Sequence, residues 1–233
     1  MSDADDTVDR AGVAERVAAA RARIEAWAPD PSRVRLVAVT KGFGPDAVRA
    51  ALAAGLTDVG ENYADELVDK ADVLAADVPV YSGPSVRWHF LGSVQRNKVA
   101  RLAPLVDCWQ GIARIEEGRA IARRRPGVPV LVQVDVVGGA GRNGCAPGQV
   151  PDLVAALRDE PLDVSGLMTI GPQGPPEASR PAFALVRDLA NRLGLAECSM
   201  GMTDDMDVAL SEGSTMVRLG RALFGPRPRR DGE

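Results

Sequence analysis

The sequence predicts an α/β protein built as a single (β/α)8 TIM barrel. Short apolar strands alternate eight times with helical segments, and no hairpin turn joins two of the strands, which indicates a parallel sheet. The 233 residues are enough for one large domain of this kind. A doubly wound open sheet is the alternative, but no GxGxxG motif follows the first strand to favour a dinucleotide fold.

The first half of the chain supplies four of the eight strands. An amphipathic helix over residues 8–27 ends before two prolines, and a Val-rich strand from Leu36 to Lys41 follows it. Pro45 starts the next helix, which ends near Ala54 before Gly55. The same alternation then predicts a strand at Thr57–Val59, a helix at Ala64–Leu74, a strand at Val86–Leu91, a helix carrying Gln95, Asn97 and Lys98, and a strand at Leu105–Trp109.

The second half repeats the pattern with more glycine in its loops. Its predicted helices are Arg114–Arg125, Pro151–Arg158, Pro181–Leu193, a helix capped by Thr203 and ending near Ser211, and Gly220–Phe224. Its predicted strands are Val128–Val134, Leu162–Thr169, Glu197–Met200 and Thr215–Leu219, and glycine-rich loops are expected at 138–144 and 171–176. The barrel domain is therefore expected over residues 8–225, between a flexible N-terminus (1–7) and a flexible C-terminal tail (226–233).

Composition and charge exclude several classes of protein. The net charge of −4 does not favour binding to nucleic acid, which is itself negatively charged. The arginines within residues 227–230 are expected to lie in a solvated chain end. Three scattered cysteines and one histidine lack the spacing of a zinc site or a disulfide framework, so no metal is expected. No signal peptide or membrane-length apolar run is present, which predicts a cytoplasmic protein without membrane contact.

Lys41 is the first candidate for chemistry. It stands at the C-terminal end of a buried strand, where active sites of parallel barrels collect. Apolar walls around a lysine lower its pKa and free its amine to attack a carbonyl group. The alternative is a lysine that reaches solvent from a strand end.

A phosphate site is predicted from the loops that follow the last two main strands. Gly201 and Gly220 allow close approach of the backbone, and Ser199 and Thr203 supply hydroxyl groups near helix N-termini. Structural roles are the alternative, with Thr203 as a helix cap and both glycines in turns. Asp204, Asp205 and Asp207 are better explained by the helix dipole than by a metal.

Arg218 alternates with two apolar neighbours, so its side chain is expected inside the barrel. A buried arginine needs a partner, which could be a phosphate, a ring nitrogen or the carboxylate of Glu61. Together with Lys41 and the phosphate site, it predicts a phosphorylated aldehyde such as pyridoxal 5′-phosphate (PLP) as the ligand. A Schiff-base aldolase acting on a sugar phosphate would need the same groups.

His89 could serve as a general base, but a packed, hydrogen-bonded histidine is favoured, and no catalytic residue is assigned.

Six sequence blocks in register resemble the YggS/PROSC family of pyridoxal phosphate homeostasis proteins. They are Ala38–Lys41, Gly60–Tyr63, Trp88–Gly92 with Gln95, Asn97 and Lys98, Gly166–Ile170, Ser199–Met206, and Gly213–Gly220 through Gly225. The resemblance implies a barrel similar to the N-terminal domain of alanine racemase. It also implies a Schiff base between PLP and Lys41, with Arg218 facing the pyridine nitrogen and Asn62 beside the ring. Phosphate would be held by Ser199, Thr203 and the backbone at Gly201, Gly220 and Arg221.

The sequence departs from that family at two loops. Arg142-Asn143-Gly144 stands where the family usually has a lysine and a small residue, and a less polar run, Gly42–Pro45, follows Lys41. The resemblance implies a PLP carrier in vitamin B6 homeostasis with no turnover of its own, whose partners are PLP and the apo-enzymes that receive it. A PLP-dependent racemase is the alternative, disfavoured because no second domain follows the barrel. We expect a monomer, with dimerisation through the outer helices as the other outcome.

Overall fold

The computed structural model describes residues 8–76, 85–138 and 143–227. Its eight strands are parallel and form a closed barrel in which sequence order and spatial order agree. Closure comes from pairing of the first strand with the last, in a register that places Val37 opposite Arg218. The predicted (β/α)8 barrel is confirmed.

Helices separate the strands as expected. The strands are β1 (Arg35–Val39), β2 (Asp58–Glu61), β3 (Arg87–Phe90), β4 (Val106–Ile112), β5 (Pro129–Val134), β6 (Asp163–Thr169), β7 (Glu197–Ser199) and β8 (Met216–Leu219). The helices are α1 (Arg10–Trp27), α2 (Pro45–Ala53), α3 (Ala64–Ala76), α4 (Val99–Leu102), α5 (Ile115–Ala122), α6 (Val150–Arg158), α7 (Arg180–Arg192), α8 (Met206–Ser211) and α9 (Arg221–Phe224). Among the described helices, none is long and apolar enough to cross a membrane.

The core fills the space between the sheet and the helices. Alternate strand residues such as Val130 and Val132 join a large apolar cluster with α2 to α7, and Leu36 and Ala38 join a second cluster with α1, α8 and α9. Leu131, between those two valines, faces the other way and packs with Cys108 and Met168 inside the barrel. The outer clusters hold the helices in place, so the strand ends keep a fixed geometry.

Several predicted boundaries differ from the structure. β1 ends at Val39, so Lys41 lies in the turn after the strand. Gln95 to Lys98 form turns before α4, because α4 is a single turn that begins only at Val99. α8 begins at Met206 with Asp205 as the preceding residue, so the prediction that Thr203 caps this helix is wrong. The predictions for residues 1–7, for 139–142 of the glycine-rich loop and for 228–233 lie outside the described residues.

Candidate functional site

Lys41 occupies the corner of a tight turn. The Phe43 N–H donates to the Thr40 carbonyl at 3.0 Å, and Gly42 between them has a φ of +77°. Positive φ at the third position is the requirement of a type II turn, which glycine meets without strain. The local sequence therefore places Lys41 in a fixed turn at the C-terminal end of β1.

A buried ionic cluster holds both flanks of this turn. The Lys70 Nζ, from α3, donates to the Thr40 carbonyl at 2.8 Å and forms an ion pair with Glu61 at the end of β2. Glu61 also accepts from the Thr40 hydroxyl at 2.6 Å, and Glu66 accepts from the Gly42 N–H at 2.8 Å. Lys70 and Glu61 are almost completely buried. The backbone on either side of Lys41 is thus fixed by charged groups, whose hydrogen bonds are stronger than neutral ones.

The amine of Lys41 is half-buried and has a lowered pKa. Burial is the main cause, the cations Arg227 and Arg218 add to it, and Glu61 and Glu66 oppose it. Lys41 makes no hydrogen bond or ion pair with any residue in the described ranges. A larger fraction of this amine is therefore neutral and nucleophilic near neutral pH than for an exposed lysine.

Arg227 comes from the segment that the sequence assigned to a flexible tail. Its Cδ lies 3.0 Å from the point that a Cβ on Gly42 would occupy, so its side chain covers the turn that carries Lys41. The ring of Phe224, at the end of α9, packs on Phe43 with centroids 5.4 Å apart. These contacts bring the last described residues against the Lys41 turn.

Arg218 is buried, as its alternation in the sequence predicted. Its Nη1 donates to the Ser199 hydroxyl at 2.7 Å and its Nη2 to the Thr169 carbonyl at 2.8 Å. No carboxylate within the described residues is close enough to form an ion pair, and burial lowers the pKa of Arg218 to about 10, although Asp205 favours its charge. The ion pair with Glu61 that the sequence left open is not formed, because Glu61 pairs with Lys70.

Ser199 lies in a different environment from the one predicted. It is fully buried, and its hydroxyl donates to Gln110 Oε1 at 2.6 Å while accepting from Arg218. The proton and one of the two lone pairs of the hydroxyl are used inside the barrel. These contacts make Ser199 a support for Arg218, and its predicted role as a phosphate donor stays a prediction.

The other residues predicted to hold phosphate lie in two adjacent loops. Gly201 and Thr203 follow β7, and Gly220 and Arg221 follow β8. Gly201 needs its positive φ of +94°, and a Cβ there would come within 2.5 Å of the Ala209 Cβ. The Arg221 side chain pairs with exposed Asp204 at 2.5 Å, which joins the two loops at the surface. Since α8 and α9 have only six and four residues, their dipoles add little, and backbone N–H groups remain the main donors.

Asn62 follows β2 and borders a cavity of about 320 Å³, together with Gly92 and Gln133. A Cβ on Gly92 would come within 2.0 Å of the Asn62 carbonyl oxygen, so glycine is required for the two loops to meet. A second cavity, of about 360 Å³, is lined in part by Arg33 and Arg187 and lies at the N-terminal end of the barrel strands. None of the predicted site residues lines it.

His89 and the three aspartates after Thr203 have other partners. His89 is fully buried between Asp58 and Gln110, each 2.8 Å from a ring nitrogen, which is the packed histidine that the sequence favoured. Asp204 pairs with Arg221, Asp205 accepts from the Met202 N–H, and Asp207 pairs with Arg23. In the described ranges, no three side chains of metal-ligating type come together.

Comparison with known proteins identifies the family. Residues 8–228 match the family model for the alanine racemase N-terminal domain. A pyridoxal phosphate homeostasis protein of Pseudomonas aeruginosa is 41% identical over 227 residues, which cover 92% of this chain and 96% of that protein. The chain belongs to the pyridoxal phosphate homeostasis protein family. Its Escherichia coli K12 member is 32% identical over 232 residues, covering 92% of this chain and 97% of that protein.

Solved structures agree with this membership. PipY of Synechococcus elongatus with PLP bound superposes with a TM-score of 0.74 at 28% identity, covering 91% of this chain and all of PipY. A protein of unknown function from Bifidobacterium adolescentis superposes with a TM-score of 0.83 at 30% identity, covering 96% of this chain and 97% of the other. Alanine racemase of Corynebacterium glutamicum shares the fold, with a TM-score of 0.69 at 18% identity, and this chain covers 64% of it.

Sequence reasoning missed several supporting residues of this family member. Lys70 stands between Leu67 and Ala71 on the apolar side of α3, a position where a lysine needs a buried partner. Gln110 lies in phase with Cys108 along β4, but the predicted strand stopped one residue before it. Nothing in the sequence around Arg227 indicated a role at the site, because its contact with Gly42 exists only in the closed barrel.

Proposed function

We propose that this protein binds PLP through a Schiff base on Lys41 and takes part in intracellular PLP homeostasis. One observation supports this most strongly. A half-buried, nucleophilic lysine lies beside a buried arginine that has no carboxylate partner among the described residues. An aldehyde that also carries a phosphate and a basic ring nitrogen would satisfy both groups. The PLP-bound structure of PipY adds support.

The residues of the site fit PLP in kind. The cofactor supplies a reactive aldehyde, which the amine of Lys41 would hold. Thr203 and the backbone at Gly201, Gly220 and Arg221 would bind the phosphate, and Asn62 would lie beside the ring. Arg218 would donate to the ring nitrogen, with Ser199 holding its guanidinium group from behind.

Arg218 also supports a carrier without turnover of its own. A cationic donor at the ring nitrogen disfavours protonation of that nitrogen, which weakens the ring as an electron sink. The curated relatives are named for homeostasis, which supports the same role for this chain. We propose PLP and PLP-accepting apo-enzymes as partners and a monomeric state. Three free, buried cysteines support a reducing cytoplasm as the compartment.

The test is the visible spectrum of the purified protein before and after borohydride, followed by peptide mass mapping. The chain has three lysines, Lys41, Lys70 and Lys98, so the adduct maps without ambiguity. We expect a yellow protein that bleaches and carries a reduced pyridoxyl group on Lys41. Lys41→Ala abolishes the adduct, whereas Lys98→Ala, which removes an exposed lysine paired with Asp65, leaves it unchanged.

Two results would contradict the proposal. A wild-type protein that stays colourless after addition of PLP would leave the aldolase alternative standing. Sustained interconversion of L- and D-amino acids by the yellow protein, at a rate lost in Lys41→Ala, would show a racemase in place of a carrier.

A further inference from the structure

Arg218 is the first member of a chain of hydrogen bonds that crosses the interior of the barrel. Its Nη1 donates to Ser199 Oγ at 2.7 Å, and Ser199 Oγ donates to Gln110 Oε1 at 2.6 Å. Gln110 Nε2 contacts His89 Nδ1 at 2.8 Å, and His89 Nε2 contacts Asp58 Oδ1 at 2.8 Å. Arg218, Ser199, Gln110 and His89 are each no more than 5% exposed.

The surroundings of Gln110 fix the direction of every donor in this chain. The second N–H of its amide group meets Met216 Sδ at 2.9 Å, so both amide hydrogens face acceptors while Oε1 faces the Ser199 hydroxyl. A flipped amide would turn its oxygen toward Met216 Sδ and His89 Nδ1. Donation from Gln110 to Nδ1 requires the His89 proton to lie on Nε2, from which it is donated to Asp58.

The chain connects a buried cation to a carboxylate at the other end of the barrel. Asp58 is the first residue of β2, whereas Arg218 lies near the C-terminal end of β8. Burial raises the pKa of Asp58, but the hydrogen bond from His89, the charge that His89 carries when protonated, and the cations Arg87 and Arg35 outweigh burial and keep this pKa below its ordinary value. Asp58 therefore stays an acceptor, and four hydrogen bonds polarised in one sense strengthen one another.

We propose that Gln110 and His89 are positioning residues for the cofactor, acting through Ser199 on the guanidinium group of Arg218. Gln110 fixes the Ser199 proton, so the lone pair of Ser199 faces Arg218. With Thr169 holding Nη2, two of the five guanidinium donors are committed and the group is held in one orientation. The role rests on the proposed function, since Arg218 acts there on the PLP ring nitrogen.

The first experiment uses the PLP-free protein. His89 is the single histidine of the chain, so the nitrogen-15 NMR signals of its imidazole are unique. We expect a proton on Nε2 and none on Nδ1 in the wild-type protein. A proton on Nδ1, or on both nitrogens at neutral pH, would overturn the proposal, because Gln110 could not then donate toward His89.

The second experiment measures PLP affinity, the absorption band of bound PLP and the melting temperature for matched variants. Gln110→Met keeps the side-chain volume but breaks the chain, and we expect a roughly tenfold weaker PLP affinity with a shifted band. Asp58→Asn keeps one acceptor oxygen, removes the charge and replaces the other oxygen by an amide donor, with an expected weakening of roughly two- to threefold. Met168→Leu changes a buried residue inside the barrel that has no part in the chain, and should leave affinity and band unchanged.

The outcomes separate a positioning role from a structural one. A lower melting temperature in Gln110→Met and Asp58→Asn, with wild-type affinity and band in both, would overturn the proposal. If Gln110→Met does not fold, Asp58→Asn decides alone. Failure of the wild type and Met168→Leu alike to bind PLP would overturn the proposed function and this role with it, while the NMR result would still report on the chain itself.

Discussion

Replacing Lys70 with methionine tests the buried cluster that fixes the Lys41 turn. The substitution keeps most of the side-chain length but removes the ion pair with Glu61 and the hydrogen bond to the Thr40 carbonyl. Glu61 Oε2 already has no hydrogen-bond partner among the described residues. After the change, Glu61 keeps only the Thr40 hydroxyl at 2.6 Å, so a buried carboxylate is left without its counter-ion.

We expect Lys70→Met to lower the free energy of unfolding by roughly 3–5 kcal/mol at about pH 8. Most of this loss reflects the uncompensated charge of Glu61, because the pair itself is costly to bury. The double variant Lys70→Met/Glu61→Gln should therefore recover a large part of the loss. Lys98→Met, which breaks an exposed pair with Asp65, should cost less than about 1 kcal/mol.

The loss should depend on pH in a definite direction. Burial raises the pKa of Glu61 above its ordinary value of 4.5, and removing Lys70 raises it further. Between the pKa of Glu61 in the unfolded chain and its higher pKa in the folded variant, the folded protein holds a proton that the unfolded chain releases. The stability of the variant therefore falls as the pH rises through this range, by up to about 1.4 kcal/mol per pH unit. The deficit of Lys70→Met relative to wild type is smallest at acidic pH.

Urea denaturation at about pH 5.5 and about pH 8 measures these quantities. A deficit below about 1 kcal/mol at both pH values, or one that grows on acidification, would refute the reasoning about Glu61. Failure of the Glu61→Gln replacement to recover stability would show instead that the lost contact with the Thr40 carbonyl dominates.

The remaining predictions concern the site, the sheet and the thiols. Arg227→Ala removes a cation beside Lys41, so the pKa of Lys41 rises and the pH midpoint of its acetylation, followed by mass spectrometry, moves upward. Gly166→Ala places a Cβ 2.3 Å from the Glu197 carbonyl oxygen and should lower the urea-measured stability by roughly 1–3 kcal/mol or more, whereas Gly148→Ala, with open space around it, should change it by less than about 0.5 kcal/mol. Burial raises the pKa of every cysteine thiol, so a thiol reagent at about pH 8 should label them only after unfolding in urea. Their pKa values are about 12 for Cys108 and about 11 for Cys145 and Cys198.

Local patterns predicted the barrel and the residues that line its C-terminal end. Strand and helix periodicity is a property of neighbouring residues, so eight alternations could be counted, and Lys41 and Arg218 could be placed from strand position alone. Arg218 was expected to be buried because it alternates with Val217 and Leu219, and it is. The sequence did not show which residues form hydrogen bonds and ion pairs with these side chains, because those partners come together only in the closed barrel.

The partners that the sequence did not predict follow from the same cause. Ser199 was assigned to phosphate because a hydroxyl after a strand is a common donor, and nothing local showed that it also contacts Gln110, 89 residues earlier in the chain. Thr203 was assigned as a cap because threonine is a frequent cap, although the helix begins three residues later. Glu61 was considered as an ion-pair partner of Arg218, since nothing in the local sequence shows that Glu61 pairs with Lys70 instead.

Closure of the barrel through β1 and β8 determines when the residues of the site come together during synthesis of the chain. Lys41 is synthesised well before Arg218, and the pairing of β1 with β8, which places Val37 opposite Arg218, brings the two residues to the same end of the barrel. Pairing between strands so distant in sequence is slow, because the entropy of closing the intervening chain is lost before the contacts are gained. Until β8 has been made and paired, a nascent chain therefore carries Lys41 without the burial and the nearby Arg218 cation that lower the pKa of its amine. The lowered pKa of Lys41 is thus a property of the closed barrel, which forms only after β8 has been synthesised.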